Sequence, residues 1–246
     1  MTENLEENIL NELKQTGFPV EIEATEVLES SGWKVSNQLG YMDLDENKWR
    51  RLDIKAVKAE GLPNSPTYKR LVMHLYIECK KSKNPWVFYI RKKEQLHFSP
   101  FELNFLLKEA SWPPVLPQSF LEKELWQSTF VYLKYPEVGI IPFQPFSKRD
   151  QIFEASSEVV KALKFHVEES RKKLPLVIKK SIFVLAHALI IFDGKLYALL
   201  GKEGPIKETQ YLQYLFNYQE EDFLIEIIHL NFLKDYPKLT KRAFGK

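Results

Sequence analysis

"LYIECKKSKNPWVF", residues 75–88, decides how the rest of the chain is read. Leu75, Tyr76 and Ile77 open an apolar run of strand character. Glu78 and Lys80 then stand one residue apart inside it, before apolar character returns at Trp86. A carboxylate on a core strand is costly unless it is paired or hydrogen-bonded. Residues two apart on a strand share a face. Glu78 and Lys80 therefore point one way, and Ile77 and Cys79 the other, into a core.

The segment "WRRLDIKAVKA", residues 49–59, has the same form, with Leu52, Ile54 and Ala56 on one face and Asp53 and Lys55 on the other. If the two strands are neighbours, Asp53 and Glu78 converge. Two close carboxylates both stay ionised only with a cation between them. Mg²⁺ suits such a pair, since it takes one or two carboxylates and leaves its other positions to water and phosphate oxygens. A lysine beside the ion can position a water or offset charge growing on a phosphate. Glu-x-Lys itself is a cheap pattern and occurs three times: Glu12-Leu-Lys14, Glu46-Asn-Lys48 and Glu78-Cys-Lys80. Only the third lies on an apolar strand that follows an acidic residue on an earlier strand.

Around this pair the sequence predicts an α/β chain of the α+β type with a mixed sheet. An amphipathic helix covers 3–14, with Thr2 as its N-cap. A second helix follows Pro19 and ends at Gly32, with Val20, Ala24, Val27 and Leu28 as its stripe and Glu21 and Glu23 on its flanks. Three strands with hairpin-length connections come next. Residues 94–149 hold seven prolines and read as an insertion. Asp150 caps a long helix with Ile152, Ala155, Val159, Leu163 and His166 on one side and Arg171, Lys172 and Lys173 at its end. "SIFVLAHALIIF", Asp193-Gly194 and "KLYALL" predict a β-hairpin, and "FLIEIIHLNFL" a strand or short helix. We read one domain over 1–246, with its core in 16–93 and 150–235 and the insertion at 94–149.

In this order, "GFPVE…GW", "LDIKA" and "YIECKKSKNPWVF" resemble the restriction-endonuclease-like, or PD-(D/E)XK, nuclease superfamily, most of all its Mrr-like archaeal and bacterial branch. The resemblance covers residues 16–90. It implies an αβββαβ core completed by the helix at 151–173 and a following strand. It also implies Asp53 and Glu78 as ligands of Mg²⁺ or Mn²⁺, Lys80 as the catalytic lysine and Glu21 as a supporting helix acid. Leu52 replaces the proline that often precedes the aspartate. The implied activity is phosphodiester hydrolysis in DNA, with RNA as the other substrate class. Superfamily members that have lost activity make a non-cutting module, binding nucleic acid or protein, the alternative. A homodimer is compatible with the resemblance, though no dimer face is identifiable in the sequence.

Plainer readings stand beside these. Asp53, Glu78 and Lys80 can be a solvated surface set on an antiparallel sheet, of little energetic worth, and Glu21 a solvated helix flank. The whole would then be an α+β interaction domain. "CKKSKNPWVFYIRKK" carries Lys81, Lys83, Arg91, Lys92 and Lys93 with aromatics between them. It is either a phosphate-tracking surface or a core strand with solvated lysine flanks. The tail "KLTKRAFGK" reads as a disordered end. A net charge of +2 does not by itself announce a nucleic-acid binder. The five histidines lack zinc-ligand spacing, no Gly-rich phosphate loop or G-x-S-x-G occurs, and Cys79 reads as a core residue. One cysteine, an acidic N-terminus and no apolar run of membrane length point to a soluble, cytoplasmic protein without membrane contact.

Overall fold

The computed structural model describes residues 2–61, 70–92, 111–112, 137–173 and 182–236. Helices α1 (Thr2–Gln15) and α2 (Phe18–Ser30) lead into strands β1 (Lys34–Asp43), β2 (Lys48–Gly61), β3 (Arg70–Lys81) and β4 (Trp86–Lys92). Strands β5 (Ser111–Trp112) and β6 (Glu137–Phe143) precede the long helix α3 (Gln151–Lys173). Then come β7 (Ile182–Asp193), β8 (Leu196–Leu200), β9 (Ile206–Glu208), β10 (Tyr211–Tyr218), β11 (Glu221–His229) and a 3-10 turn, Leu230–Phe232. The strands form one mixed sheet in the order β1-β2-β3-β7-β11-β10-β6-β4-β8-β9, with β5 beside β7. Among the described residues no helix is long and apolar enough to cross a membrane.

The two inner helices cover opposite faces of the sheet. Pro19 supplies the first turn of α2. Val20, Ala24 and Leu28, four residues apart, are buried with Ile54, Ile77, Cys79 and Leu189. Gly32 takes φ 81°, and the N–H groups of Ser31, Gly32 and Trp33 close back on the last turn. On the other face, Asp150 Oδ1 accepts the Phe153 N–H at 2.9 Å and starts α3. Its Ile152, Ala155, Val159 and Leu163 are buried with Tyr76, Ala188 and Ile190. Full burial of a Val, Leu or Ile side chain stabilises by about 1.5–3 kcal/mol, so these two stripes fix both helices on the sheet. Strand β3 alternates between them, Ile77 and Cys79 toward α2 and Tyr76 toward α3. By contrast Leu5, Ile9 and Leu10 of α1 are exposed; that amphipathic helix does not turn its apolar side into the core.

The hairpin expected over 182–200 is not formed. Strand β7 is parallel to β3 from Arg70↔Ile182 to Lys81↔Asp193, and its other edge is occupied by β11 and β5. No edge remains for β8, which runs parallel to β4 instead. The β3–β4 and β7–β8 connections turn a corner side by side, tied by Ser82 N–H to Asp193 O at 3.0 Å and Trp86 N–H to Lys195 O at 2.8 Å. The two bends approach so closely that a Cβ on Gly194 would lie 2.7 Å from Ser82 O and 2.6 Å from Phe192 Cζ. Asp-Gly thus serves a bend of the sheet rather than a reversal of the chain.

Other boundaries moved as well. Glu137–Phe143, inside the stretch read as an insertion, is a sheet strand paired with β4 and β10. Strand β10 carries no period-two pattern over its first half, where Tyr211, Leu212, Gln213 and Tyr214 are all buried. "FLIEIIHLNFL" contains both alternatives, a strand and then a 3-10 turn.

Candidate active site

Asp53 is the residue on which the site turns. The β1–β2 ladder pairs Asn37 with Ile54 and Leu39 with Leu52, and skips the Gln38–Asp53 position. The β2–β3 ladder starts one residue later, at Ile54↔Ile77. Every other residue of β2 is paired in at least one ladder. In place of a backbone partner, the Asp53 side chain accepts the Cys79 N–H at 2.8 Å. Gln38, opposite, adopts φ 54° and sends its amide to Glu21 Oε2 at 3.0 Å. Asp53 thereby lies in a local opening of the sheet, in the field of Glu21 on α2 and of Glu78 on β3.

Glu78 is 5% exposed. Its Oε1 accepts Lys80 Nζ at 2.7 Å, and its Oε2 is buried without a hydrogen-bond partner. Burial and the Asp53 charge push its pKa well above the usual carboxylate range. Burial also raises Asp53, against the Cys79 N–H and the Lys80 charge. Glu21 is raised by burial and by Asp53. Burial disfavours the charge on Lys80, but Glu78 and Glu158 outweigh it and its pKa rises. Cys79 is a buried thiol whose pKa burial pushes up.

The structure thus brings together Asp53, Glu78, Lys80 and Glu21. Glu23, also on α2, turns away to Lys234 at 3.8 Å. The basic residues are less united. Lys81 and Lys83 sit at the corner, and Lys81 is paired with Asp193 at 3.1 Å. Arg91 lies at the far end of β4, roughly 16 Å from Trp86 at about 3.3 Å per residue. Arg91 and Lys92 are exposed, Trp86 and Phe88 are core, and Lys93 lies outside the described residues.

Two site residues were not foreseen. Glu158 on α3 accepts Lys80 Nζ at 3.0 Å through Oε2. Tyr41 on β1 buries its hydroxyl without a hydrogen-bond partner, and burial, Glu158 and Glu78 together raise its pKa. Glu158 directly precedes Val159 of the apolar stripe, and that flank position was its only sequence signal. Both are held by a neighbouring network. Buried Asp43, next but one to Tyr41, takes Arg50 Nε at 2.9 Å and Lys161 Nζ at 2.9 Å, which pins α3 to β1.

Among the described residues no three His, Cys, Asp or Glu side chains converge as a ready metal cage. The donor set nevertheless fits a hard cation of the Mg²⁺ kind, which needs only one or two carboxylates. Glu78 Oε2 is a buried acceptor beside Asp53 with no donor group in reach, so a proton shared between the two carboxyl groups or a cation is what can satisfy it. No protein-family model, no curated protein and no solved structure matches the chain.

Proposed function

We propose that this chain is a Mg²⁺-dependent nuclease of the restriction-endonuclease-like, PD-(D/E)XK, kind, hydrolysing phosphodiester bonds in DNA. One observation carries the reading: a buried, partnerless carboxylate oxygen on Glu78 faces the field of Asp53, with Lys80 in contact. The element order supports it. Helix α2, the antiparallel strands β1, β2 and β3, helix α3 and the parallel strand β7 form an αβββαβ arrangement with a helix on either face.

Asp53 and Glu78 would hold the cation, and Mn²⁺ would serve in its place. When bound, the ion supplies Lewis acidity at a phosphate oxygen and a water of lowered pKa. The chain contributes the rest. The Cys79 N–H fixes the Asp53 carboxylate, so its orientation does not depend on its own rotamer alone. Lys80, kept protonated by two carboxylates, holds a positive charge where a pentacovalent phosphorus would gather negative charge. Glu21, held by Gln38, adds negative charge behind Asp53 and so favours the cation.

The second reading, a non-cutting module of the same fold, has its own observation. Lys80 already pairs with both Glu78 and Glu158 without any metal. The discriminating experiment incubates supercoiled, linear and single-stranded DNA, and RNA, with Mg²⁺ or Mn²⁺ against EDTA. Metal-dependent strand scission of DNA is the expected result. Metal-dependent scission confined to RNA would move the substrate class. Binding without scission of any substrate would favour the module.

A further inference from the structure

Lys80 bonds to two acids that come from different elements. Glu78 lies two residues away on its own strand, and Glu158 arrives from α3. Glu78 is a metal ligand in the reading above; Glu158 is not needed as one. A dication that takes Glu78 competes with Lys80 for the same carboxylate. A lysine ammonium displaced inside a partly buried site without a partner would carry a desolvation penalty. The 3.0 Å contact to Glu158 removes that penalty, because the ammonium keeps one charged acceptor when it leaves Glu78. Glu158 can hold this post independently. Helix α3 is tied to β1 through Lys161 and Asp43 and packed on β3 and β7 through Tyr76, Ala188 and Ile190, so its place on the sheet does not depend on the Lys80 contact. Glu158 is also the more exposed of the two acids, so the displaced ammonium stays toward the open side of the site.

We propose that Glu158 is a positioning residue that retains Lys80 when a divalent cation takes Glu78, so that cation uptake and lysine placement are one coupled exchange. This inference rests on the nuclease reading of the site. In the exchange the Lys80–Glu78 contact would open, the Lys80–Glu158 contact would stay, and the Glu78 carboxylate would be left to the cation. No covalent bond between heavy atoms changes.

The test is a Mn²⁺ titration followed by the electron paramagnetic resonance signal of the free ion, on four folded proteins: wild type, Glu158→Gln, Lys80→Met and the double variant. Glu158→Gln should weaken Mn²⁺ binding by about threefold or more, the low end of couplings between contacting groups. Lys80→Met should tighten it, since the competitor is gone. Adding Glu158→Gln to Lys80→Met should then cost clearly less than it costs the wild type. Equal loss in both backgrounds would mean that Glu158 acts on the ion directly, and no loss in either would mean that it acts on nothing; both results overturn the proposal. In those cases the wild type still binds Mn²⁺ and the nuclease reading stands. A wild type that takes up no Mn²⁺ overturns that reading and this inference together. Should Glu158→Gln fail to fold, Glu158→Asp withdraws the charge by one methylene and is measured in the same two backgrounds, with the same expected sign.

Discussion

The Asp53 carboxylate takes the Cys79 backbone N–H at 2.8 Å, at the one β2 position that neither ladder pairs. A side chain here does the work of a strand. The β2–β3 pairing ends one residue short, and the carboxylate there acts electrostatically on both Glu21 and Glu78. Removal of the acceptor and removal of the charge are therefore separable by mutation.

Asp53→Asn keeps an oxygen for the Cys79 N–H and removes the charge, so the metal-free protein should become more stable. Asp53→Ala should lose about 1–3 kcal/mol instead, the cost of a buried N–H left unsatisfied. Glu78→Gln should behave like Asp53→Asn, with a defined pH dependence. The folded-state pKa of Glu78 is raised, so its ionisation destabilises the fold as pH rises past the unfolded carboxylate range. The Gln variant's advantage should thus be present at neutral pH and vanish as acid protonates Glu78 in the wild type. For millimolar affinity, roughly 10 mM Mg²⁺ adds about 1.4 kcal/mol, a rise in Tm of roughly 3–6 °C at this chain length. Ca²⁺ should act similarly. Equal metal response in wild type and Asp53→Asn would count against a shared carboxylate site.

Under the nuclease reading, Asp53→Ala and Glu78→Ala should abolish metal-dependent cleavage while leaving most DNA binding in place, since neither substitution removes a basic residue. Lys80→Ala should slow cleavage by about 10²-fold or more, the usual scale for one charge stabiliser. Initial rates on plasmid DNA measure both effects. Full activity in Asp53→Ala would remove this site from the chemistry.

The Cys79 thiol lies in the core on the α2 side of β3, with its pKa raised by burial. It should react slowly with an aromatic disulfide reagent in the native protein and at once in denaturant. Rapid native labelling would show that the strand presents the other face.

Gly194→Ala should destabilise by about 1–3 kcal/mol, the range for overpacking, because the new methyl meets the Ser82 carbonyl and the Phe192 ring. Urea denaturation measures the loss. A neutral result would mean that the two bends can separate without cost.

The legible part of this molecule was the part with short-range periodicity. Glu78, Lys80 and Cys79 could be assigned to faces because a strand repeats every two residues, and Val20, Ala24 and Leu28 because a helix repeats every 3.6. Glu158 could not be assigned to Lys80, since the rotation of α3 over a strand some eighty residues earlier is set by packing that no local pattern carries. Asp193-Gly194 misled for a related reason. Its backbone preference fits a bend, and only the occupied edges of β7 decide between a reversal and a corner. Strand β10 is buried on both faces and so offers no alternation to read.

The long reach of the β3–β7 pairing also fixes an order of assembly. Strands β1, β2 and β3 can meet through short connections, whereas β7 must be recruited from 112 residues away, Arg70 to Ile182, with α3 in between, a closure that costs entropy before any contact repays it. Asp53 and Glu78 would therefore come together in an early meander, with Lys80 still lacking its second acid. Ile54→Val, in that meander, should slow refolding in stopped-flow fluorescence, while Val159→Ala, on α3, should chiefly hasten unfolding. The reverse pattern would put the helix in the folding nucleus and make the completed site, not the bare acid pair, the first thing the chain builds.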